Sequence, residues 1–348
     1  MLKFVIAIGV ILVIAILLTI FRIQTLVSVA KSSEKKTKAP TGNNTNALLF
    51  LLFLVVSFIA MFWYSIKEFD NYQLPIASEH GVVTDQLFWI TMAITGVVFL
   101  ITHILLFWFS YKYKFQESKR AYFFPHNDRL EVIWTIVPAL VLTVLVISGW
   151  QAWSDITSKA PDDAEEVEIM GYQFAWRVRY PGMDANLGNY DFRLIDAENE
   201  FGMDFSDKAS FDDFTPRDMV LPKGKPVLLR IRARDVLHSV FAPHFRLKMD
   251  AVPGMPTQFW FVPTKTTEEM RAETGNPDFT YEIACTEICG RGHFSMRLQV
   301  VVLEPEEYEK WKSEQQPWLA NKPDYLAKVP DHLKELATIT SGLNQVEE

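Results

Sequence analysis

The chain has 348 residues, about half of them apolar, a formal net charge of −8 and only two cysteines. That length has room for two domains, and the acidic balance opposes nucleic acid or another polyanion as a partner. Neither a P-loop nor a Gly-rich dinucleotide fingerprint is present, so phosphate chemistry has no motif to rest on.

Charge divides the chain in two. Up to Trp153 it carries a net +4, and beyond that point a net −12. The first part reads as a membrane anchor. Four apolar segments, 2–20, 47–66, 87–109 and 132–153, each approach the roughly 20 residues that a bilayer span requires. The first has Lys3 ahead of its apolar run, as a signal peptide does, but the run is long and no Ala-x-Ala site follows, so we read a retained helix.

Loop charge sets the orientation. The loop 21–46 holds Arg22, Lys31, Lys35, Lys36 and Lys38 against Glu34 alone, and the third loop holds Lys112, Lys114, Lys119, Arg120 and Arg129. The loop between them has Lys67 against Glu68, Asp70, Glu79 and Asp85. Basic loops stay in the cytoplasm, which places both termini and the acidic domain outside it. Glu131, at the start of the fourth segment, stands out because a carboxylate there is costly if buried and tends to be functional. His103, inside the third segment, reads as a packing or hydrogen-bonding residue facing another subunit.

From Val167 onward the pattern is of short strands broken by Pro and Gly. In 226–238, Val227, Leu229, Ile231 and Ala233 alternate with Arg230, Arg232 and Arg234, the period of two of a half-buried strand with its arginines outward. His238 lies just past its end. Residues 186–225 are rich in Asp, Phe and Gly and read as a long ordered loop or insertion. Beyond Leu303, Glu306, Glu307, Tyr308 and Trp311 form a short helical pattern, followed by Pro317, Pro323 and Pro330, which reads as surface packing. No internal repeat is evident.

The chemistry is concentrated in Cys285-Thr-Glu-Ile-Cys289-Gly-Arg-Gly-His293-Phe-Ser-Met296, a loop between strands at 279–285 and 296–303. Thiolate, thioether and imidazole together suit a soft transition metal, above all copper. Two thiols outside the cytoplasm would ordinarily form a disulfide, but a disulfide has no use for His293 and Met296 at short fixed offsets. Both sulfurs therefore serve one site, and a second histidine must join them from elsewhere. His238 and His244 are the candidates, with His332 in the charged tail a poor third; a hydrogen-bonded loop residue is the better reading of His244.

At these residues the chain resembles subunit II of the heme–copper cytochrome c oxidases, over about 87–311. The resemblance is carried by Leu130-Glu-Val-Ile-Trp-Thr-Ile-Val-Pro138, Asp235-Val-Leu-His238-Ser, Lys248-Met-Asp-Ala-Val-Pro-Gly254 and the cysteine loop. It implies a membrane α-helical anchor followed by an all-β cupredoxin-like barrel with a dinuclear copper A centre. Cys285 and Cys289 would bridge two copper ions, His238 and His293 would each cap one, and Met296 and the backbone carbonyl of Glu287 would be weak outer ligands. It further implies that the Glu287 carboxylate reaches a magnesium at the boundary with subunit I, and that Glu131 lies at the mouth of a proton-uptake path. The domains would be 1–66, two extra helices with a basic cytoplasmic loop; 87–153, the helical hairpin; 154–311, the extracytoplasmic copper domain; and 312–348, an acidic tail.

Departures from the family pattern matter too. The aromatic motif at which electrons come in reads Gly171-Tyr-Gln-Phe174-Ala-Trp176, with Phe174 in place of the usual tryptophan. Electrons would come in through Phe174 or by way of Trp176, or at another docking place, while the bland alternative for Trp176 is a packed barrel aromatic. Arg234 sits beside Asp235 where a docking surface is often acidic, and 264–277 looks like an insertion. The implied function is to accept electrons from a cytochrome c and pass them to heme in subunit I, where oxygen is reduced to water and protons are pumped. Without Cys-x-x-Cys-His the chain holds no covalent heme of its own. An acidic domain would steer a basic donor in a salt-dependent way. The extra helices would contact other oxidase subunits or a partner complex in a respiratory supercomplex, and the membrane would be an energy-transducing one, bacterial plasma membrane first. A membrane-anchored copper chaperone or thiol-disulfide protein is the alternative, but it explains neither Met296 nor the Glu131 motif. A quinol oxidase subunit would lack the copper ligands, and nitrous oxide reductase would need a large further domain.

Overall fold

The computed structural model describes residues 2–31 and 42–343. Glu34, Lys35, Lys36 and Lys38 of the basic loop lie outside the described residues, as do the side chains of Lys3 and Lys31. The helices are α1 (Leu2–Lys31), α2 (Asn43–Lys67), the single turn α3 (Phe69–Tyr72), α4 (Glu79–Lys112) and α5 (Asp128–Thr157). Of these, α2, α4 and α5 are long and apolar enough to cross a membrane, and α1 contains a shorter apolar stretch, Ile11–Val27. Leu52 and Phe53 on α2 and Leu140 and Val144 on α5 stand exposed, as lipid-facing side chains do. At 1.5 Å per residue α4 is about 50 Å long, well beyond a hydrocarbon core of about 30 Å.

The described residues fall into two compact units, divided at Tyr72/Gln73, Thr91/Met92 and Ile136/Val137. In the first, α2 lies along α4 through aromatic contacts, with Phe53 5.6 Å from Phe107 and Phe58 6.0 Å from Phe99 between ring centroids. His103 donates from Nδ1 to the Phe99 carbonyl at 2.8 Å and packs among Phe58, Phe99 and Phe107. It is thus a hydrogen-bonded packing residue, and the ring it meets outside its own helix belongs to α2.

The second unit is the expected all-β, cupredoxin-like domain, a sandwich of two sheets. One sheet has the order β2 (Ala175–Arg179), β1 (Glu165–Tyr172), β4 (Val227–Ala233), β7 (Thr257–Phe261). The other runs β3 (Met219–Pro222), β9 (Arg297–Leu303), β8 (Tyr281–Cys285), β5 (His238–Ala242), β6 (Leu247–Ala251). β1 with β4 and β3 with β9 are parallel, and the other pairs are antiparallel. Val167, Ile169, Leu229 and Ile231 from the first sheet meet Val240, Ile283, Leu298 and Val300 from the second in one core. The insertion at 264–277 forms α6 (Thr267–Thr274), started by a capping box between Thr266 and Glu269 and held by buried Met270.

The outward reading of Arg232 is corrected by the structure. Arg230 is exposed, but Arg232 is buried, and its guanidinium shares the Glu168 carboxylate with Arg179, whose Nε lies 2.6 Å from it. Arg179 also reaches Asp213 at 3.2 Å and the Gly188 carbonyl at 2.9 Å, while Arg232 donates to the Phe201 carbonyl at 3.0 Å. Gly188, Phe201 and Asp213 belong to the segment 186–225, whose residues 219–222 are not loop but β3 of the second sheet, and whose earlier part, to Asp213, folds back over the outer face of β1, β2 and β4. There it builds a second core with the chain after α7 (Pro305–Ser313): Phe201, Met203, Phe205 and Phe211 pack with Trp318, Leu319, Tyr325 and Leu333, the last of these just before α8 (Lys334–Thr340). The tail and the insertion, separate readings in the sequence, cover each other.

Burying two guanidiniums is tolerable only while their carboxylates remain. Glu168→Gln should destabilise the full chain in detergent by about 3 kcal/mol in a denaturant titration, whereas Arg230→Gln on the exposed side of the same strand should cost under about 1 kcal/mol.

Candidate metal centre

Three loops at one end of the sandwich build the site. Strand β8 delivers Cys285, whose amide donates to the Met296 carbonyl at 3.2 Å, closing the neck of the loop as β9 begins. The next amide, Thr286, donates to the Ser239 carbonyl at 3.2 Å and so ties the loop to β5, whose first residue is His238. A single 3₁₀ turn, His293–Ser295, swings His293 back over the loop.

The donors converge as the sequence requires. Cys285 Sγ lies 4.0 Å from Cys289 Sγ, 3.9 Å from His238 Nδ1 and 3.3 Å from the Glu287 carbonyl oxygen. Cys289 Sγ lies 3.5 Å from His293 Nδ1 and 3.4 Å from Met296 Sδ. Each sulfur therefore has one imidazole nitrogen and one weaker donor beside it. His238, Cys285 and Cys289 form a group able to hold a metal ion, all three buried. The cysteines are free, and burial, with Cys285 beside it, pushes the Cys289 thiol up to about 11. A metal–thiolate bond is about 2.3 Å, so both sulfurs can reach an ion lying between them. The residues present thus fit a soft metal.

What orients the ligands was not legible from spacing. Asp235 Oδ1 accepts from His238 Nε2 at 2.9 Å, leaving Nδ1 to face the sulfurs. The same carboxylate accepts from the Val236 and Gln173 amides, each at 2.7 Å. Burial pushes Asp235 up, but these hydrogen bonds prevail and hold it below the ordinary carboxylate range. The Gln173 side chain continues the chain of bonds, donating from Nε2 to the Cys289 carbonyl at 2.6 Å. A ligand histidine fixed by a carboxylate through its far nitrogen is a recurrent device of metal sites.

The two candidate aromatics are placed very differently. Trp176 is buried, with its ring centroid 5.9 Å from that of His238. Phe174 is 36% exposed and lies on the backbone of the loop, where a Cβ built on Gly292 would come within 2.5 Å of its ring. Glu287 is partly exposed, with its carbonyl turned to Cys285. His244 donates to the Pro75 carbonyl at 3.0 Å between Phe279 and Tyr281, the hydrogen-bonded role expected of it. Glu131 belongs to the other compact unit, exposed in the first turn of α5, where Asn127 caps the helix by accepting from the Leu130 amide at 3.1 Å.

Around the metal end the surface is apolar: Ile288 and Phe294 are each 86% exposed, with Leu237 and Met255 exposed nearby in the neighbouring turns. Its charges, Arg234, Asp235, Glu287 and Arg291, balance. Arg234 lies over the Tyr172 ring at 4.3 Å and 3.6 Å from Glu200 of the insertion, which also pairs with Arg177 at 2.9 Å. The domain's acidic excess therefore lies elsewhere on its surface.

Comparison with known proteins gives two family matches: the cytochrome c oxidase subunit II periplasmic domain over residues 166–303 and the transmembrane domain of the same subunit over residues 61–152. An alternative cytochrome c oxidase subunit 2 of Bradyrhizobium diazoefficiens is 35% identical over 243 residues, 69% of this chain and 83% of the relative. The cytochrome c oxidase subunit 2 of Thermostichus vulcanus is 27% identical over 296 residues, 69% and 77% of the two chains. Among solved structures, the periplasmic domain of the Bradyrhizobium japonicum oxidase subunit II matches at 23% identity and a TM-score of 0.31, covering 45% of this chain and 95% of that one.

Gly171 leaves the space in which His238 and Trp176 meet: an added Cβ would lie 3.0 Å from the imidazole and 2.8 Å from the indole. Gly171→Ala should displace the imidazole and lower metal retention at least tenfold, read by equilibrium dialysis, with the far-UV circular dichroism of the chain unchanged.

Proposed function

We propose that this chain, which belongs to the cytochrome c oxidase subunit II family, holds a dinuclear copper A centre in its cysteine loop and receives electrons there. As a member of that family it is the copper-binding subunit II of a terminal heme–copper oxidase, a membrane oxidoreductase in which it works with subunit I. The observation that carries the dinuclear reading is the doubling of donors: each of the two thiols has its own imidazole and its own weak ligand.

In this reading Cys285 and Cys289 would hold both ions, His238 and His293 would each hold one, and Met296 and the Glu287 carbonyl would be weak outer ligands. Bound there, two copper ions sharing both thiolates supply a one-electron carrier. The protein's part is to keep the ligands still. His238, Cys285, Cys289 and Met296 are buried, and Asp235 fixes the imidazole plane, so little around them rearranges when charge changes.

The donor is a cytochrome c, which meets the apolar end of the sandwich. Phe174, lying on Gly290 and Gly292, brings an aromatic edge to the surface directly over the metal loop, while Trp176 supports His238 from inside. Because the charges of that end balance, contact there depends on apolar burial, and the acidic remainder of the domain acts on the donor only at longer range. On the other side of the reaction, the Glu287 carboxylate supplies an oxygen ligand to a magnesium at the boundary with subunit I. Glu131 stands at the cytoplasmic mouth of a proton path, and the alternation of loop charge puts the metal domain outside the cytoplasm, on the outer face of a bacterial plasma membrane. The division into extra helices, hairpin, copper domain and tail follows the boundaries given above, with the tail now part of the cover over the insertion.

The full chain, reconstituted with copper in detergent, should contain two coppers and show one unpaired electron shared between them in its spin-resonance spectrum, and reduced cytochrome c should bleach that signal. One copper or none, with Cys285 and Cys289 closing readily into a disulfide, would instead support a copper chaperone. In the assembled oxidase, Glu131→Gln should slow turnover severalfold while copper content stays the same, and unchanged proton-coupled turnover would remove Glu131 from the path.

A further inference from the structure

The segment between α3 and α4 has no part in the metal site, yet it is bonded into the sandwich like an added strand. The Ala77 amide donates to the His244 carbonyl at 2.9 Å, the Thr264 amide to the Ala77 carbonyl at 2.9 Å, and the Glu79 amide to the Val262 carbonyl at 3.2 Å. Ser78 pairs with Pro263, and its hydroxyl donates to the Phe245 carbonyl at 2.7 Å; both Ala77 and Ser78 are fully buried. The approach is tight enough that a Cβ on Gly81 would lie 2.7 Å from the Ser78 hydroxyl and 3.2 Å from the Arg246 side chain.

Arg246 completes the attachment. It occupies the turn between β5 and β6 in the left-handed region, with φ of 52°, and its fork grips Asp85 in the second turn of α4, Nε to Oδ1 at 2.7 Å and Nη2 to Oδ2 at 2.9 Å. Its remaining bonds go to the Leu74 carbonyl at 2.8 Å and the Pro243 carbonyl at 2.7 Å. A two-point guanidinium–carboxylate contact fixes direction as well as distance. The hairpin that carries Arg246 at its turn carries the metal ligand His238 at its open end, joined by an unbroken ladder from His238–Ala251 to Ala242–Leu247.

From this we infer that Arg246 and Asp85 are positioning residues for electron transfer: they lock the β5–β6 hairpin, and with it the metal loop, onto the amino-terminal turns of α4. An electron leaving the copper centre, which is thereby oxidised, then reduces heme in subunit I across one fixed separation. The inference rests on the copper reading above. It assigns the clamp no role in binding metal or donor.

The test uses the assembled oxidase and follows three quantities separately: the spectrum of the copper centre, its rate of reduction by cytochrome c, and the rate at which heme is then reduced in a single turnover. Asp85→Asn should leave the first two unchanged and slow or spread the third about tenfold, because small misplacements of reacting partners are costly. Asp85→Glu, which keeps a carboxylate for the fork, should recover most of that loss. Where Asp85→Asn does not assemble, Arg246→Lys, which keeps the charge and loses the fork, is measured in the same way. A third rate equal to that of the unaltered protein in either variant would overturn the clamp, as would an equal slowing in Asp85→Glu. A missing dinuclear spectrum in the unaltered protein would overturn the copper reading instead.

Discussion

The metal end of this domain depends on one carboxylate. Asp235 accepts hydrogen bonds from the His238 ring, the Val236 amide and the Gln173 amide, and so joins the loop after β4, the turn between β1 and β2, and the first residue of β5. Gln173 then reaches the Cys289 carbonyl, bringing in the cysteine loop. Three stretches of chain far apart in sequence, around 173, 235–238 and 289, are thus held within a few ångströms by bonds that run from Asp235 and on through Gln173. Their strength comes from location: partly withdrawn from water, a charged acceptor with several donors is worth considerably more than the same set in solvent.

A second ionic cluster explains why the domain carries so much chain beyond its strands. The sheet β2-β1-β4-β7 would present Glu168, Arg179 and Arg232 to solvent, as the period-two pattern suggests. The stretch 188–213 instead covers them and provides Asp213 and two backbone carbonyls as partners. Burial of so much charge is costly unless every partner is present, and the tail helps keep the cover in place: Trp318 donates from its amide to the Asp213 carbonyl at 2.7 Å, and Tyr325 Oη donates to Asp196 at 2.6 Å. The same cover supplies Glu200, which Arg177 and Arg234 share beside the metal end. Packing on one face of the sheet therefore sets the charge of the surface at its tip.

The chain also separates two kinds of apolar exposure. On α2, α4 and α5 it is spread along helices long enough to cross a bilayer. On the sandwich it includes a cluster in the loops around the cysteines, where Ile288 and Phe294 stand almost fully clear. Soluble domains seldom present large apolar side chains in such a cluster without a partner to cover them.

The sequence alone determined three membrane segments, those of α2, α4 and α5, because some twenty predominantly apolar residues have few other uses, and it determined the metal chemistry, because Cys285, Cys289, His293 and Met296 are close enough in the chain for their spacing to define one loop. It also singled out His238, through a motif shared with a family. Tertiary structure decided everything that depends on residues far apart: that Asp235 and Gln173 orient the ligands, that Phe174 lies on the metal loop while Trp176 is buried behind His238, and that Arg246 grips Asp85 across 161 positions. It also turned Arg232 inward, against its alternation, because a strand's period of two tells one face from the other but says nothing of what a distant segment will lay over the polar one.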